Sequence, residues 1–191
     1  MKPATVLLLN GVGSVGKGSV ARALQAIAAA PFLHVEMDAF LAMLPERYLN
    51  HPDGLTFESL IEDGRPSVAV HSGPVAERLL KGMRHAVAAL AVAGNNLIVD
   101  EVLFGDVETE YGNAVADYRA LLAPYRLHMV GVFAPLEVIE EREARRGDRA
   151  AGLARWQFDR VHRGMVYDLE IDTAAASPED CARAIKETFA L

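Results

Sequence analysis

The residues best suited to chemistry lie near the N-terminus, in a loop that is rich in glycine and contains one lysine. The pattern is Gly, four residues, Gly-Lys, then a small residue and a hydroxyl. The loop comprises Gly11, Val12, Gly13, Ser14, Val15, Gly16, Lys17, Gly18 and Ser19. Glycines let the backbone turn its N–H groups inward around phosphate oxygens, at a helix N-terminus whose dipole favours anions. We therefore predict that this loop binds nucleotide phosphates. Lys17, facing solvent before a nucleotide binds, would supply positive charge to the outer phosphates.

The segments on either side of the loop have the character that such a motif needs. Thr5 to Leu9 is an apolar run typical of a buried strand, and Ser19 to Ile27 is rich in alanine and typical of a helix. A strand, a glycine-rich loop and a helix in this order form a phosphate-binding unit. Gly18 stands where most such loops place the Ser or Thr that binds Mg²⁺. The Gly-Lys-Gly-Ser order resembles the adenylate kinase version of the loop, and Ser19 is the candidate magnesium ligand.

Two aspartates follow predicted strands and are candidates for the reaction itself. Asp100 ends the run Leu97 to Val99, where an acid is placed to hold Mg²⁺ or its water shell; the alternative is an acid that caps a turn. Asp38 follows the strand that ends at Glu36. It is a candidate base for the hydroxyl that attacks a γ-phosphate, and the alternative is the N-cap of the next helix.

An arginine-rich segment near residue 146 is the candidate lid. Seven of the fifteen arginines fall within 22 residues, from Arg142 to Arg163. Arg142, Arg146 and Arg149 share one face if a helix persists through them. We predict that Arg142 contacts the nucleotide and that Arg146 and Arg149 stabilise charge on the transferring phosphoryl group as the lid closes, with Gly147 as a hinge. The alternative is a solvated surface paired with nearby glutamates.

Composition narrows the class of protein. The chain has 191 residues, of which 51% are hydrophobic and 24% charged, which is typical of one compact domain over 1–191. Its net charge of −7 argues against a general nucleic-acid binder. No apolar run approaches the length of a membrane span. The single cysteine, Cys181, excludes an internal disulfide and suits a reducing cytoplasm.

Strand-like and helical patterns alternate along the chain. We predict strands at 4–10, 32–36, 96–101, 126–133 and 166–172. We predict helices at 18–29, 38–44, 74–93, 112–122, 135–146, 152–163 and 178–190. Such alternation implies parallel pairing and a three-layer α/β domain. The less regular stretch 46–72 predicts a hairpin or loop excursion near the acceptor pocket, because ligands bind beyond the carboxyl ends of the strands.

Taken together, these segments resemble chloramphenicol phosphotransferases, which are small P-loop kinases that phosphorylate a primary hydroxyl of the antibiotic. The resemblance covers nearly the whole chain. The matching segments are Asn10 to Ser19, Met37 to Pro45, Ile98 to Phe104, Arg146 to Gly152 and Val166 to Thr173. It implies a P-loop kinase fold with a five-stranded parallel sheet, and Asp38 matches the family's catalytic base. Gly18 and Glu101 depart from the family pattern, where a serine and a second aspartate stand.

The expected activity is transfer of the γ-phosphate of ATP, with Mg²⁺, to a hydroxyl of a small molecule. Chloramphenicol is one acceptor, and a nucleoside, a sugar or another metabolic hydroxy compound is the alternative. A nucleotide-dependent switch without transfer activity is the alternative from another class, although the chain lacks an Asn-Lys-x-Asp guanine motif. The sequence leaves the acceptor and the oligomeric state open.

Overall fold

The computed structural model describes residues 3–62, 64–146 and 151–191. The strands are β1 (Thr5–Asn10), β2 (Phe32–Glu36), β3 (Leu55–Glu62), β4 (Arg65–Ser72), β5 (Asn96–Glu101), β6 (Arg126–Phe133) and β7 (Leu169–Asp172). The helices are α1 (Lys17–Ile27), α2 (Met37–Leu41), α3 (Pro74–Val92), α4 (Ala114–Leu121), α5 (Leu136–Arg146), α6 (Leu153–Phe158) and α7 (Pro178–Phe189), with a 3₁₀ turn at Glu46–Tyr48.

Five strands form a parallel sheet in the order β2-β5-β1-β6-β7. Successive side chains of the central strand β1 enter opposite cores, as the alternation of a strand requires. Leu7 and Leu9 pack with residues of α1 and α7, whereas Val6 and Leu8 pack with residues of α3 and α4. Helices therefore cover both faces of the sheet, and the predicted three-layer α/β architecture is confirmed.

The strands β3 and β4 form a separate antiparallel hairpin between β2 and α3. It lies outside the parallel sheet and packs against α6: the Val68 N–H donates to the carbonyl of Gly152 at 3.1 Å. The Arg160 guanidinium also donates to the Glu62 carboxylate at 3.0 Å. The predicted excursion in 46–72 is thus a hairpin held to the segment that follows the candidate lid.

Most predicted elements agree with the structure to within a few residues, and several are shorter, among them the last strand and the helix predicted at 152–163. The last strand begins at Leu169 instead of residue 166. At Asp168 the backbone N–H donates to the Met129 carbonyl at 2.8 Å, but the Met129 N–H donates to the side chain of Asp168, at Oδ2, also at 2.8 Å. The helix predicted at 152–163 ends at Phe158, and the chain continues in turns to Gly164. No helix of the described part of the chain is both long and apolar enough to cross a membrane.

Candidate active site

The predicted phosphate-binding loop joins the end of β1 to the first residue of α1. Its backbone is left-handed at Ser14 (φ 64°) and at Gly16 (φ 108°), and glycine adopts this conformation without strain. Gly11 allows close packing, because a Cβ there would lie 2.5 Å from the carbonyl oxygen of Val132 in β6. The loop therefore curls tightly in front of the first turn of α1, where backbone N–H groups have no partner within the helix.

Lys17 lies inside the loop and is 6% exposed. Its Nζ donates to the carbonyl oxygens of Gly11 at 2.8 Å and Val12 at 3.2 Å. The same Nζ lies 3.5 Å from Oδ1 of Asp100. The expectation that Lys17 faces solvent is wrong, because the loop carbonyls and a strand-end carboxylate surround the amine. The lysine is nevertheless within the loop, where phosphates are predicted to bind.

Asp100 occupies the end of β5, beside Leu9 in β1 and Glu36 in β2. Burial alone would raise the pKa of its carboxyl, but the charge of Lys17 and the neighbouring imidazole of His34 outweigh burial, and the pKa lies below its ordinary value. Asp100 is therefore an anion at neutral pH beside the loop. Asp100, which was predicted to bind magnesium, and Lys17, which was predicted to bind phosphates, are thus adjacent in the structure.

The predicted arginines have different surroundings. The Arg142 guanidinium donates to the carbonyl of Val15 at 3.0 Å and to the hydroxyl and carbonyl oxygens of Thr173 at 3.0 and 2.8 Å. Arg146 ends α5 and lines the pocket in front of the loop. Arg149 and the proposed hinge at Gly147 lie outside the described residues. The structure thus places Arg142 and Arg146 beside the loop.

Other charged residues of this segment form surface or structural contacts, and only some of them make the arginine–glutamate pairs that the alternative interpretation expected. Arg145 pairs with Glu141 at 2.6 Å on the exposed side of α5, and Arg155 pairs with Glu140. Glu143 is buried and accepts from the backbone N–H groups of Gly152 and Ala154, both at 2.9 Å. Its carboxylate therefore fixes the start of α6.

A polar pocket of about 600 Å³ lies in front of the loop. Its lining residues are Gly13, Ser14, Gly16, Lys17, Gly18, Ser19, Arg22, Glu36, Asp100, Arg142, Arg146, Thr173 and Pro178. The hydroxyl oxygen of Ser14 is buried and has no hydrogen-bond partner among the described residues. A phosphate oxygen bound in the loop would accept a hydrogen bond from the Ser14 hydroxyl. The residues present therefore fit a nucleotide phosphate group, and we name this cavity the phosphate pocket.

A second pocket, of about 530 Å³, lies beyond the ends of β2 and β5. We name it the acceptor pocket. Its walls come from α2, the β3–β4 hairpin, α3 and the loop after β5. The apolar lining residues are Met37, Leu41, Leu55, Phe57, Val70, Leu80, Val102, Leu103, Phe104, Val107, Ala114 and Leu153. Several of these side chains remain partly exposed, among them Phe57 at 43% and Phe104 at 38%. This pocket is therefore predominantly apolar.

Asp38 lines the acceptor pocket from the first turn of α2. The helix begins at Met37 with Glu36 as its N-cap, and the Glu36 side chain makes no capping hydrogen bond. Asp38 is the second residue of the helix and therefore does not occupy the N-cap position that was its alternative role. Its carboxylate belongs to the wall of the pocket where an acceptor is expected.

The deepest polar group of the acceptor pocket is Glu101, which is 3% exposed. Tyr118 donates its hydroxyl proton to Oε2 of Glu101 at 2.5 Å. Burial raises the pKa of Glu101, and burial also raises the pKa of Glu77 on the same wall. Arg84 lies nearby and donates through Nε to Asp117 at 3.1 Å. Glu101 therefore belongs to the acceptor pocket, although it directly follows the magnesium candidate Asp100.

Gln157 links the two pockets and was missed by sequence reasoning. It lines the acceptor pocket from α6, and its Oε1 accepts from the Gly13 N–H of the loop at 2.8 Å. Thr173 was also missed as a site residue: its hydroxyl donates to the carbonyl of Val15 at 2.5 Å. Thr173 lies in a segment that resembles the chloramphenicol phosphotransferases, which was the one available indication.

A buried network underlies the start of the loop. The Asn10 side chain donates to the Val161 carbonyl at 3.1 Å and to the Tyr167 hydroxyl at 2.9 Å, and accepts from the Leu103 N–H at 2.8 Å. His162 Nδ1 lies 2.7 Å from the same hydroxyl. Burial raises the pKa of Tyr167 to about 12 and lowers the pKa of His162 to about 4. Asn10 thus ties the loop to the segments that bound the acceptor pocket.

The fold and the two pockets define a class. The structure is similar over the whole chain to the Mycobacterium tuberculosis APS kinase CysC (TM-score 0.67, 15% identity, 100% of both chains). It is also similar to a sugar kinase from Janibacter sp. HTCC2649 (TM-score 0.63, 19% identity, 98% of this chain and 95% of that one). At these identities the likeness shows the fold alone, which is the P-loop kinase fold.

Sequence comparison identifies the family. The model of the chloramphenicol phosphotransferase-like proteins matches residues 4–190, and the chain belongs to this family. It is 32% identical over 194 residues to a Mycobacterium tuberculosis (strain H37Rv) protein named "Putative O-phosphotransferase Rv2636", covering 99% of this chain and 84% of that protein. The family makes the chain a phosphotransferase with a hydroxyl acceptor, as the sequence predicted. The identity of that acceptor is not established by these relationships.

Proposed function

We propose that this protein transfers the γ-phosphate of ATP to a hydroxyl group of a small molecule with a substantial apolar part. The observation that carries the proposal is the arrangement of the two pockets about the ends of β2 and β5. Glu36 and Asp100 line the phosphate pocket, whereas the residues that directly follow them, Met37 and Glu101, line the acceptor pocket. ATP in the phosphate pocket and a hydroxyl compound in the acceptor pocket would therefore lie on either side of the same strand ends.

The phosphate pocket supplies positive charge and backbone donors to the donor. Lys17, inside the loop, and the N–H groups of residues 11–19 are proposed to hold the phosphates, with Arg142 fixing the loop through Val15. Arg146, at the edge of the same pocket, is proposed to stabilise charge on the group in transfer. The same role for Arg149 remains a prediction, because that residue lies outside the described part of the chain.

Asp38 is proposed to act on the acceptor. The acceptor oxygen attacks the γ-phosphorus, the bond from that phosphorus to the bridging oxygen breaks, and ADP leaves with the electron pair. The hydroxyl proton passes to the Asp38 carboxylate as the new phosphorus–oxygen bond forms. The position of Asp38 on the wall of the acceptor pocket supports this role.

Mg²⁺ is proposed as the cation that accompanies ATP. The ionised Asp100 beside the loop fits such a cation, and Ser19 at the edge of the phosphate pocket fits contact through water. Bound there, Mg²⁺ would neutralise charge on the phosphates.

The character of the acceptor pocket limits the acceptor. Its walls are mainly aliphatic and aromatic, which favours a ligand with an apolar body. Arg84 is the one basic residue among the described lining residues, and it already donates to Asp117. Glu77 and Glu101 lie on the same wall, so a hydroxyl, amide or amine of a neutral or cationic ligand is favoured over a carboxylate or phosphate. Chloramphenicol, with an aromatic ring and a primary hydroxyl, fits this description better than a sugar or a nucleoside.

The test is an acceptor screen with mass detection of the phosphorylated product. Chloramphenicol and other apolar hydroxy compounds, sugars, nucleosides and hydroxy acids would be incubated with ATP, Mg²⁺ and the protein. We expect product from an apolar neutral or cationic compound and none from hydroxy acids. ATP turnover would be recorded in the same reactions. ATP hydrolysis that ignores every acceptor would instead support the nucleotide-dependent switch, and product from a hydroxy acid alone would overturn the assignment of the acceptor class.

A further inference from the structure

Three side chains with metal-ligand chemistry converge beside the phosphate loop. His34 and Glu36 are two residues apart in β2 and so project from the same face of the sheet. Asp100 in β5 is the register partner of Glu36. One ligand atom from each of the three residues lies within 4.8 Å of the others. A divalent cation with bonds of about 2.1 Å spans about 4.2 Å between opposite ligands, so modest side-chain movement closes the cluster around one ion.

His34 is the unusual member of this cluster. Its side chain is 10% exposed, and its Nε2 is buried without a hydrogen-bond partner among the described residues. Nε2 lies 3.8 Å from Oδ2 of Asp100, and Nδ1 lies 3.7 Å from Oε1 of Glu36. Both distances exceed those of hydrogen bonds. A buried ring nitrogen that lies beside a carboxylate, beyond hydrogen-bonding distance, offers in the neutral ring a lone pair that a bound cation would engage.

Gly18 leaves room for a cation in the same place. Most phosphate loops have a Ser or Thr after the lysine, and its hydroxyl binds the metal. A Cβ built on Gly18 would lie 3.5 Å from both Oδ2 of Asp100 and Oε1 of Glu36. The position of the missing hydroxyl therefore faces the cluster. The carboxylates and the imidazole therefore lie next to the position that the usual hydroxyl ligand would occupy.

The charges around the cluster come from two carboxylates and two basic side chains. Lys17 Nζ lies 3.5 Å from Oδ1 of Asp100, and His34 Nε2 lies 3.8 Å from Oδ2 of the same carboxylate. The guanidinium of Arg22 borders the same space as the two carboxylates, with Nη1 3.6 Å from the Cβ position of Gly18. A cation bound beside Gly18 would therefore have two carboxylates as ligands and would displace the Arg22 guanidinium from them.

We propose that His34, Glu36 and Asp100 bind a divalent cation directly and that the imidazole makes the site prefer Mn²⁺ over Mg²⁺. Carboxylates suit both ions, whereas an imidazole ligand favours transition metals, and Mg²⁺ keeps its water shell more tightly. The inference rests on the proposed function and deepens it, because this site would hold the divalent cation of the donor nucleotide, with Mn²⁺ preferred over the Mg²⁺ proposed above. Protein ligation by three side chains implies that the cation binds even without nucleotide.

The test measures Mn²⁺ binding to the nucleotide-free protein by electron paramagnetic resonance. We expect one bound Mn²⁺, displaced by Mg²⁺ only at concentrations at least about tenfold higher. The bound ion should show nitrogen coupling from the imidazole. His34→Gln should abolish that coupling and weaken Mn²⁺ binding at least about tenfold, and Glu36→Gln should weaken binding of both ions. His71→Gln is the matched control, since His71 lies beside the single carboxylate of Glu58 on the exposed hairpin.

A rescue separates ligation from structural damage. Gly18→Ser restores the missing hydroxyl and should recover Mn²⁺ binding in the Glu36→Gln background, because its Cβ makes only ordinary contacts. Binding without nitrogen coupling, or binding unchanged in folded His34→Gln, would overturn the proposal. Binding as expected in a protein that phosphorylates no acceptor would contradict the proposed function and leave the metal site standing.

Discussion

The phosphate pocket and the acceptor pocket lie on either side of the same strand ends but are built differently. Six of the thirteen lining residues of the phosphate pocket come from the loop 11–19, and the others come from α1, β2, β5, α5 and the segment after β7. The acceptor pocket is assembled from α2, the hairpin, α3, α6 and the loop after β5. The first is polar and charged, and the second is mainly apolar. Under the proposed function, a local motif would bind the phosphate donor, whereas tertiary packing would form the site of the acceptor.

Of the variants considered, Lys17→Ala should reduce phosphate transfer the most and should discriminate least between acceptors. Removing a group that stabilises phosphate charge costs up to about 10³-fold in kcat/KM, and the loss should be equal for every acceptor. Because Lys17 is buried beside Asp100, the variant also leaves that carboxylate without its nearest cation. Thermal unfolding should therefore be measured together with transfer kinetics, and Lys17→Met retains the apolar stem as a control. A rate equal to that of the wild type would show that the loop does not handle the donor.

Asp38→Asn should come next and should affect the acceptor side alone. A positioned base contributes at least about 10²-fold, and the loose transition state of phosphoryl transfer places the effect near that lower limit. Nucleotide affinity, measured by calorimetry, should stay at the wild-type value because Asp38 lines the other pocket. Full transfer by the variant would mean that the base lies elsewhere or is not needed.

Phe57→Ala on the hairpin should give a smaller and more selective change. Loss of part of an apolar wall is worth about 1.4 kcal/mol, which is about tenfold in the acceptor KM, with no change in the KM for ATP. Ile61→Ala is the matched control, since Ile61 lies on the same strand, is 72% exposed and does not line the pocket. Equal behaviour of the two variants would contradict the assignment of this wall.

His162→Phe should leave both pockets in place, remove the contact with the Tyr167 hydroxyl and reduce the pH dependence of stability. The pKa of His162 is about 4 in the folded protein, against 6.5 as its ordinary value. Between these two pH values the unfolded chain binds more protons than the folded protein. The contribution of His162 to the free energy of unfolding is therefore fully present above pH 6.5 and falls as the pH drops toward 4. Phenylalanine keeps the stacking on Phe133, whose ring centroid lies 4.0 Å away. Melting temperatures at pH 7 and pH 5 should differ less in the variant than in the wild type.

The sequence predicted the features that depend on residues close together in the chain. The loop, its strand and its helix follow from spacing and from glycine, and the five parallel strands follow from apolar runs between helical patterns. Their order in the sheet came with the structure. Asp38 and Asp100 were found because each follows a strand whose end must meet the others.

What the sequence did not predict depends on contacts between distant segments. Glu101 reaches the acceptor pocket because alternate residues of a strand point to opposite faces, but its partner Tyr118 belongs to another element. Gln157 contacts Gly13 across 144 positions of sequence. The buried position of Lys17 depends on carbonyl directions within the loop, which residue types do not report. His34 resembled any strand histidine, and only the structure shows that its Nε2 lies 3.8 Å from Oδ2 of Asp100.

The hairpin between β2 and α3 has a consequence for how acceptor preference changes over evolution. Because β3 and β4 add no strand to the parallel sheet, their replacement leaves the β-sheet ladder intact. The hairpin is attached by the backbone bond from Val68 to Gly152, by the ion pair of Glu62 with Arg160 and by the packing of Leu55 and Val70 against α2 and α3. We expect a hairpin grafted from a relative that preserves these contacts to transfer acceptor choice while the phosphate pocket stays unchanged. Acceptor preference would then be exchangeable between members of this scaffold.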